Sequence, residues 1–131
     1  MTTTQALTLP GTSKTGWKLD AAAVRQAIEF FGIAAPVEVK LSAGTRKVGC
    51  AKWREGVHVI TVTTHHSLAG ASKTLWHELT HAAQREYLGA DFGPAYRAES
   101  ARVGYRANRF EVEARDVADA MAADYPLAKV A

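Results

Sequence analysis

The sequence holds a single cysteine, Cys50, among 131 residues, so no intrachain disulfide can form and no Cys-x-x-Cys pair is present to build a structural metal site. A reducing compartment is expected. A long apolar run is also missing. The first ten residues, Met1 to Pro10, are polar and threonine-rich with no basic stretch, which predicts neither a signal peptide nor a membrane anchor. A soluble, cytoplasmic monomer with no membrane partner is the expectation. Prolines number only four, and neither an internal repeat nor a linker rich in Pro, Gly or Ser is present. With 47% hydrophobic and 22% charged residues the composition is that of one globular domain. The net charge of +3 is mildly basic and does not of itself indicate a nucleic-acid partner.

Residues 1–18 read as a loosely held, flexible arm whose Trp17 docks on the body, leaving 19–131 as the domain. Asp20 is a plausible N-cap for a helix over Ala21–Phe31, where Val24, Ala27, Ile28 and Phe31 recur at helical spacing before Gly32. After Pro36 come three runs of β type, 37–41, 48–53 and 57–62, with Arg54-Glu55-Gly56 as a turn. They predict a small sheet, antiparallel or mixed, with 57–62 as a free edge for an extended peptide. Ser72 is expected to start a helix through Leu88, ended by Gly89. A short helix from Pro94 to Val103 and a last one from Arg109 to Ala123, capped by Asn108, complete an α+β order.

The middle helix carries His77-Glu78-Leu79-Thr80-His81. Residues i and i+4 share a helical face, so two imidazoles can meet one ion while the adjacent glutamate reaches the water beside it. With 5 His and 8 Glu in the chain, chance predicts about 0.01 copies of this pattern. Catalytic zinc takes three protein ligands and keeps a fourth position open, so a third ligand is required. Glu111, thirty residues past His81, is the choice. Asn108 and Glu111 also have the spacing of a capping box, in which the glutamate folds back on the backbone. Glu113 projects from a different side of the same helix, so the two glutamates are not expected to bind together. No histidine follows His81; His65 and His66 read as loop residues, and His58 as a surface or packed residue on a strand.

The run Thr74 to Gln84, followed by Phe110-Glu111-Val112-Glu113-Ala114, resembles the gluzincins, metallopeptidases whose third ligand is a glutamate on a later helix. It is most similar to their small single-domain and phage-type forms. In related groups, including integral-membrane endopeptidases, that ligand opens a Glu-x-x-Ala pattern, which here is Glu111 with Ala114. The membrane relatives continue with Asp, where this chain has Arg115 and then Asp116. The resemblance spans residues 57–118 and implies a zincin-like α+β fold with the sheet packed on the N-terminal and motif helices. It also implies one zinc per chain bound by His77, His81 and Glu111.

In that setting Glu78 is the general base and the substrate a soluble peptide or protein. Tyr105 is a candidate oxyanion donor, with Tyr87 and Tyr96 as competitors. Two rival readings stand beside this one. The first is a non-catalytic metal-binding interaction module, which the presence of Glu78 disfavours. The second is a nucleic-acid-associated peptidase acting on DNA-bound proteins, suggested by Arg97, Arg102, Arg106, Arg109 and Arg115.

Overall fold

Branched apolar residues at every second position lay down the strands that carry the molecule. In the computed structural model, which describes residues 5–44 and 46–131, these are β3 (Val37–Ser42), β4 (Gly49–Arg54) and β5 (Val57–Thr63). β1 (Leu7–Thr8) joins them to give the order β1-β3-β5-β4. The sheet is mixed. β1 and β5 both lie parallel to β3, and β4 is antiparallel to β5 across the Glu55-Gly56 turn. Both turn residues have positive φ, 49° and 81°, the left-handed pair whose twist suits a two-residue hairpin. β5 is therefore an interior strand, and among the described residues the edge strands are β1 and β4, contrary to the expectation for 57–62.

Helix α1 (Ala21–Phe31) begins where the Asp20 side chain accepts from the Ala23 amide and ends at Gly32 with φ 69°, as its sequence predicts. Helix α2 (Leu68–Leu88) starts four residues earlier than expected. Ser67 is its N-cap, accepting from Gly70, while Ser72 lies inside the helix and accepts from the Leu127 amide at 2.8 Å. A 3-10 turn over Gly89–Asp91 leads into α3 (Phe92–Ala107), which is longer than predicted and is interrupted at Gly104, φ 82°. Helix α4 covers Arg109–Met121. One core joins Val37, Val39, Ile60 and Val62 of the sheet with Leu75 and Leu79 of α2 and Val24 and Ile28 of α1. The alternate sheet residues Glu38, Lys40, Val59 and Thr61 remain half-buried or exposed. Among the described residues no helix is long and apolar enough to cross a membrane.

The N-terminal segment differs from the loose arm expected for it, apart from residues 1–4, which lie outside the described residues. Besides β1, a strand β2 (Trp17–Leu19) pairs antiparallel with β6 (Ala128–Val130), so both ends of the chain are tied together. Trp17 is only 1% exposed, and its indole N–H donates to the His66 carbonyl at 2.8 Å. Deleting a buried indole costs roughly 3–5 kcal/mol. Trp17→Ala is therefore expected to lower the unfolding free energy by about that amount in urea titrations. A change under ~1 kcal/mol would mean that the segment does not belong to the cooperative unit.

Candidate metal centre

Helix α2 is buried on two sides, and this divides its residues between two tasks. Leu75 and Leu79 face the core, while His77, Glu78 and His81 face the start of α4. There the Glu111 carboxylate reaches both imidazoles, with Oε1 3.0 Å from His77 Nε2 and Oε2 3.1 Å from His81 Nε2. One donor atom from each of the three residues lies within 4.8 Å of the others. Tetrahedral zinc at about 2.0–2.1 Å from each ligand holds its donors roughly 3.4 Å apart. The two imidazole-to-carboxylate spacings, each to a different oxygen of Glu111, are close to that. Two imidazoles and a carboxylate are also a donor set that zinc accepts, so the residues present fit the ion.

Glu111 is held where it is by several contacts. Asn108 is completely buried; its Oδ1 accepts from the Phe110 amide at 2.9 Å, and its Nδ2 donates to Tyr96 O and Ser100 Oγ. Glu99 Oε2 accepts from the Arg109 amide, a second tie from α3 to the start of α4. The capping-box alternative, in which Glu111 turns back on the backbone, is not what the side chain does. The Tyr96 hydroxyl instead donates to Glu111 Oε2 at 2.5 Å. Burial alone would raise the Glu111 carboxyl, but hydrogen bonds from His77, His81 and Tyr96 hold it well below the usual carboxylate range. Partial burial and the neighbouring Glu111 charge push the Tyr96 phenol upward, which keeps it a donor.

Glu113 stands outside this trio. The Gln84 amide oxygen, Oε1, accepts from His81 Nδ1–H at 2.8 Å, which fixes the proton on that ring nitrogen. Its other ring nitrogen, Nε2, faces Glu111 Oε2 at 3.1 Å. The Gln84 amide nitrogen donates in turn to Phe110 O at 2.9 Å and to Glu113 Oε1 at 3.0 Å. Gln84 therefore orients His81 and fastens α2 to α4 with one side chain. Sequence reading assigned Gln84 no role, although its position three residues after His81 places it on the same helical face.

Glu78 is 7% exposed, and burial raises its carboxyl above the ordinary value against the opposing pull of His81 and His77. The edge strand crosses directly over it. A β-carbon on Gly49 would stand 2.9 Å from Glu78 Oε2 and 2.5 Å from Thr74 Cγ2, so only glycine lets β4 pass so close. No pattern in the sequence marked Gly49. Tyr105 is 62% exposed; partial burial and the proximity of Glu111 raise its phenol, while the short 2.5 Å hydrogen bond to Glu111 comes from Tyr96. Tyr87 is exposed. The other histidines are engaged elsewhere: His66 Nε2 pairs with Thr74 Oγ1, His65 Nε2 with Ala43 O, and His58 is packed against Trp53.

Zinc titration separates the two glutamates. Glu111→Ala is expected to abolish tight binding, whereas Glu113→Ala and Gln84→Ala are expected to weaken it by about 10–100-fold, the usual effect of losing a partner that orients a ligand. A greater loss in Glu113→Ala than in Glu111→Ala would reverse the assignment. Comparison of the chain with known protein families, with curated proteins and with solved structures finds no match.

Proposed function

We propose that the chain is a zinc-dependent peptidase of the gluzincin kind, its zincin-like site formed by His77, His81 and Glu111 on α2 and α4. The observation that carries the reading is the convergence of Glu111 on both motif imidazoles with Glu78 buried beside them. Two buried carboxylates share this volume, and among the described residues neither forms an ion pair with Lys or Arg. A divalent cation supplies the compensating charge that such burial demands.

Zinc held by these three residues would supply Lewis acidity and lower the pKa of a bound water toward about 7. Glu78 accepts the proton of the attacking water and passes it to the leaving amine, a task suited to a carboxylate whose proton affinity is raised by burial. Gln84 keeps the His81 ring in one orientation. The substrate lies extended along β4, the strand whose outer edge has no strand partner among the described residues and which passes Glu78 at Gly49. Tyr105, an exposed tyrosine near Glu111, donates to the negative charge that develops on the peptide oxygen. Tyr96 positions Glu111 instead.

Three variants assayed for both hydrolysis and zinc content distinguish these roles. Glu78→Gln is expected to lose roughly 10²–10⁴-fold in kcat while keeping full zinc content, since a base is removed and no ligand is. Tyr105→Phe lowers kcat at unchanged zinc affinity, and Tyr96→Phe weakens zinc binding. Undiminished peptide turnover by Glu78→Gln would sink the mechanism.

A further inference from the structure

Beyond His81 the cleft carries positive charge that this mechanism does not use. A cavity of about 390 Å³ opens there between β4 and the first turns of α3. Ligand pockets run from about 300 to 1,000 Å³, so it suits one residue of a chain. Trp53, His58, Arg85, Phe92 and Arg97 line it together with His81. Among the described residues no aspartate or glutamate lines it, and neither arginine takes part in an ion pair.

Both guanidinium groups are placed by their surroundings. Arg85 lies over the Trp53 ring, its Cζ 5.1 Å from the centroid, and its Nη1 donates to the Gly89 carbonyl. Stacking fixes the plane of the fork and leaves most of its five donors unspent. Arg97 folds back along α3 to Gly93, where an added β-carbon would stand 3.2 Å from Nη1. His58, 3.4 Å from Glu86, has its imidazole lowered by burial. Two guanidinium groups thus share an aromatic-walled cavity with no counter-ion in its lining. A carboxylate is the ligand that matches them, since its two oxygens accept the parallel donors of an arginine fork.

We propose that this cavity is a specificity pocket for a carboxylate of the substrate peptide, gripped by Arg85 and Arg97 next to the metal centre. The carboxylate belongs either to an Asp or Glu side chain near the scissile bond or to a free C-terminus. The inference rests on the peptidase reading for the nature of the substrate, but it is tested by binding as well as by cleavage.

The binding experiment uses zinc-loaded Glu78→Gln protein and fluorescein-labelled alanine-based peptides. A single Glu, Gln or Lys is moved stepwise along them, and each peptide has a free or an amidated C-terminus. At one position, Glu is expected to bind at least about tenfold more tightly than Gln, the weight of a charge-assisted hydrogen bond. If the C-terminus is the source, the same factor appears on amidation and not on Glu replacement. Adding Arg97→Glu should invert the preference toward Lys or the amide, and adding Arg85→Gln should reduce it. Arg97 is exposed, so its replacement is compatible with folding, which circular dichroism and zinc content verify. Equal binding of Glu, Gln and Lys peptides regardless of terminus overturns the pocket, as does a carboxylate preference that survives both arginine replacements. The same peptides given to the wild-type protein keep the two readings apart. Cleavage without charge preference leaves the peptidase and removes the pocket, whereas carboxylate-selective binding without cleavage supports the pocket and removes the peptidase. Failure of every peptide to bind overturns both.

Discussion

The buried carboxylate of Glu111 is the constraint that the site and the C-terminal half of the fold accommodate together. An ionised carboxylate removed from water costs several kcal/mol unless partners replace its hydration. At 4% exposure Glu111 has only what α2 and α3 provide, two imidazole nitrogens and one phenol. Those partners reach it only if the first turn of α4 is held against the middle of α2. Asn108 and Glu99 hold that turn from the side of α3, and Gln84 holds it from the side of α2. The same packing that lets Phe110 and Ala114 escape water also sets the direction of the carboxylate between them in the sequence.

The sheet contributes the other wall. Because β5 is bracketed by β3 and β4, the strand nearest Glu78 is an edge strand running antiparallel to its neighbour. Its approach is limited at one point by Glu78 and Thr74, and the missing side chain of Gly49 relieves that limit. Further along, Trp53 and Arg85 replace backbone contact with a stacked pair, and the gap between strand and helix widens into the cavity lined by Arg97. One edge strand thus presses on Glu78 at its start and leaves a pocket at its end. A single peptide laid along it would meet both.

Much of this was legible from local pattern. The Asp20 cap, the Gly32 stop, the three main strands and the Glu55-Gly56 turn follow from periodicity and left-handed preference. The i, i+4 histidines and a glutamate at the head of a later helix were legible for the same reason, since each is a statement about one helix. Parallel pairing of β3 with β5 was not, because strand direction depends on the path of the connection rather than on the residues in the strand. Two- and three-residue strands such as β1, β2 and β6 are too short to show alternation, so the ordered N-terminal segment read as an arm. Ser72 has the composition of an N-cap, but its hydroxyl serves Leu127, fifty-five residues away.

The hardest ambiguity lay in Asn108-x-x-Glu111, whose spacing serves either a helix cap or a ligand. In a capping box both side chains bond the backbone, the first to the N3 amide and the second to the N-cap amide. Here Asn108 caps one position earlier, at Phe110, and spends its amide group on Tyr96 and Ser100. The Asn108 amide is satisfied by Tyr105 O instead, so it makes no demand on Glu111. Two long-range contacts therefore displace the local one. The first is α3, which closes the helix end from outside. The second is α2, whose two imidazoles bind an anion more strongly than a single neutral amide does. Sequence spacing states both options, and the positions of α3 and α2 together decide between them.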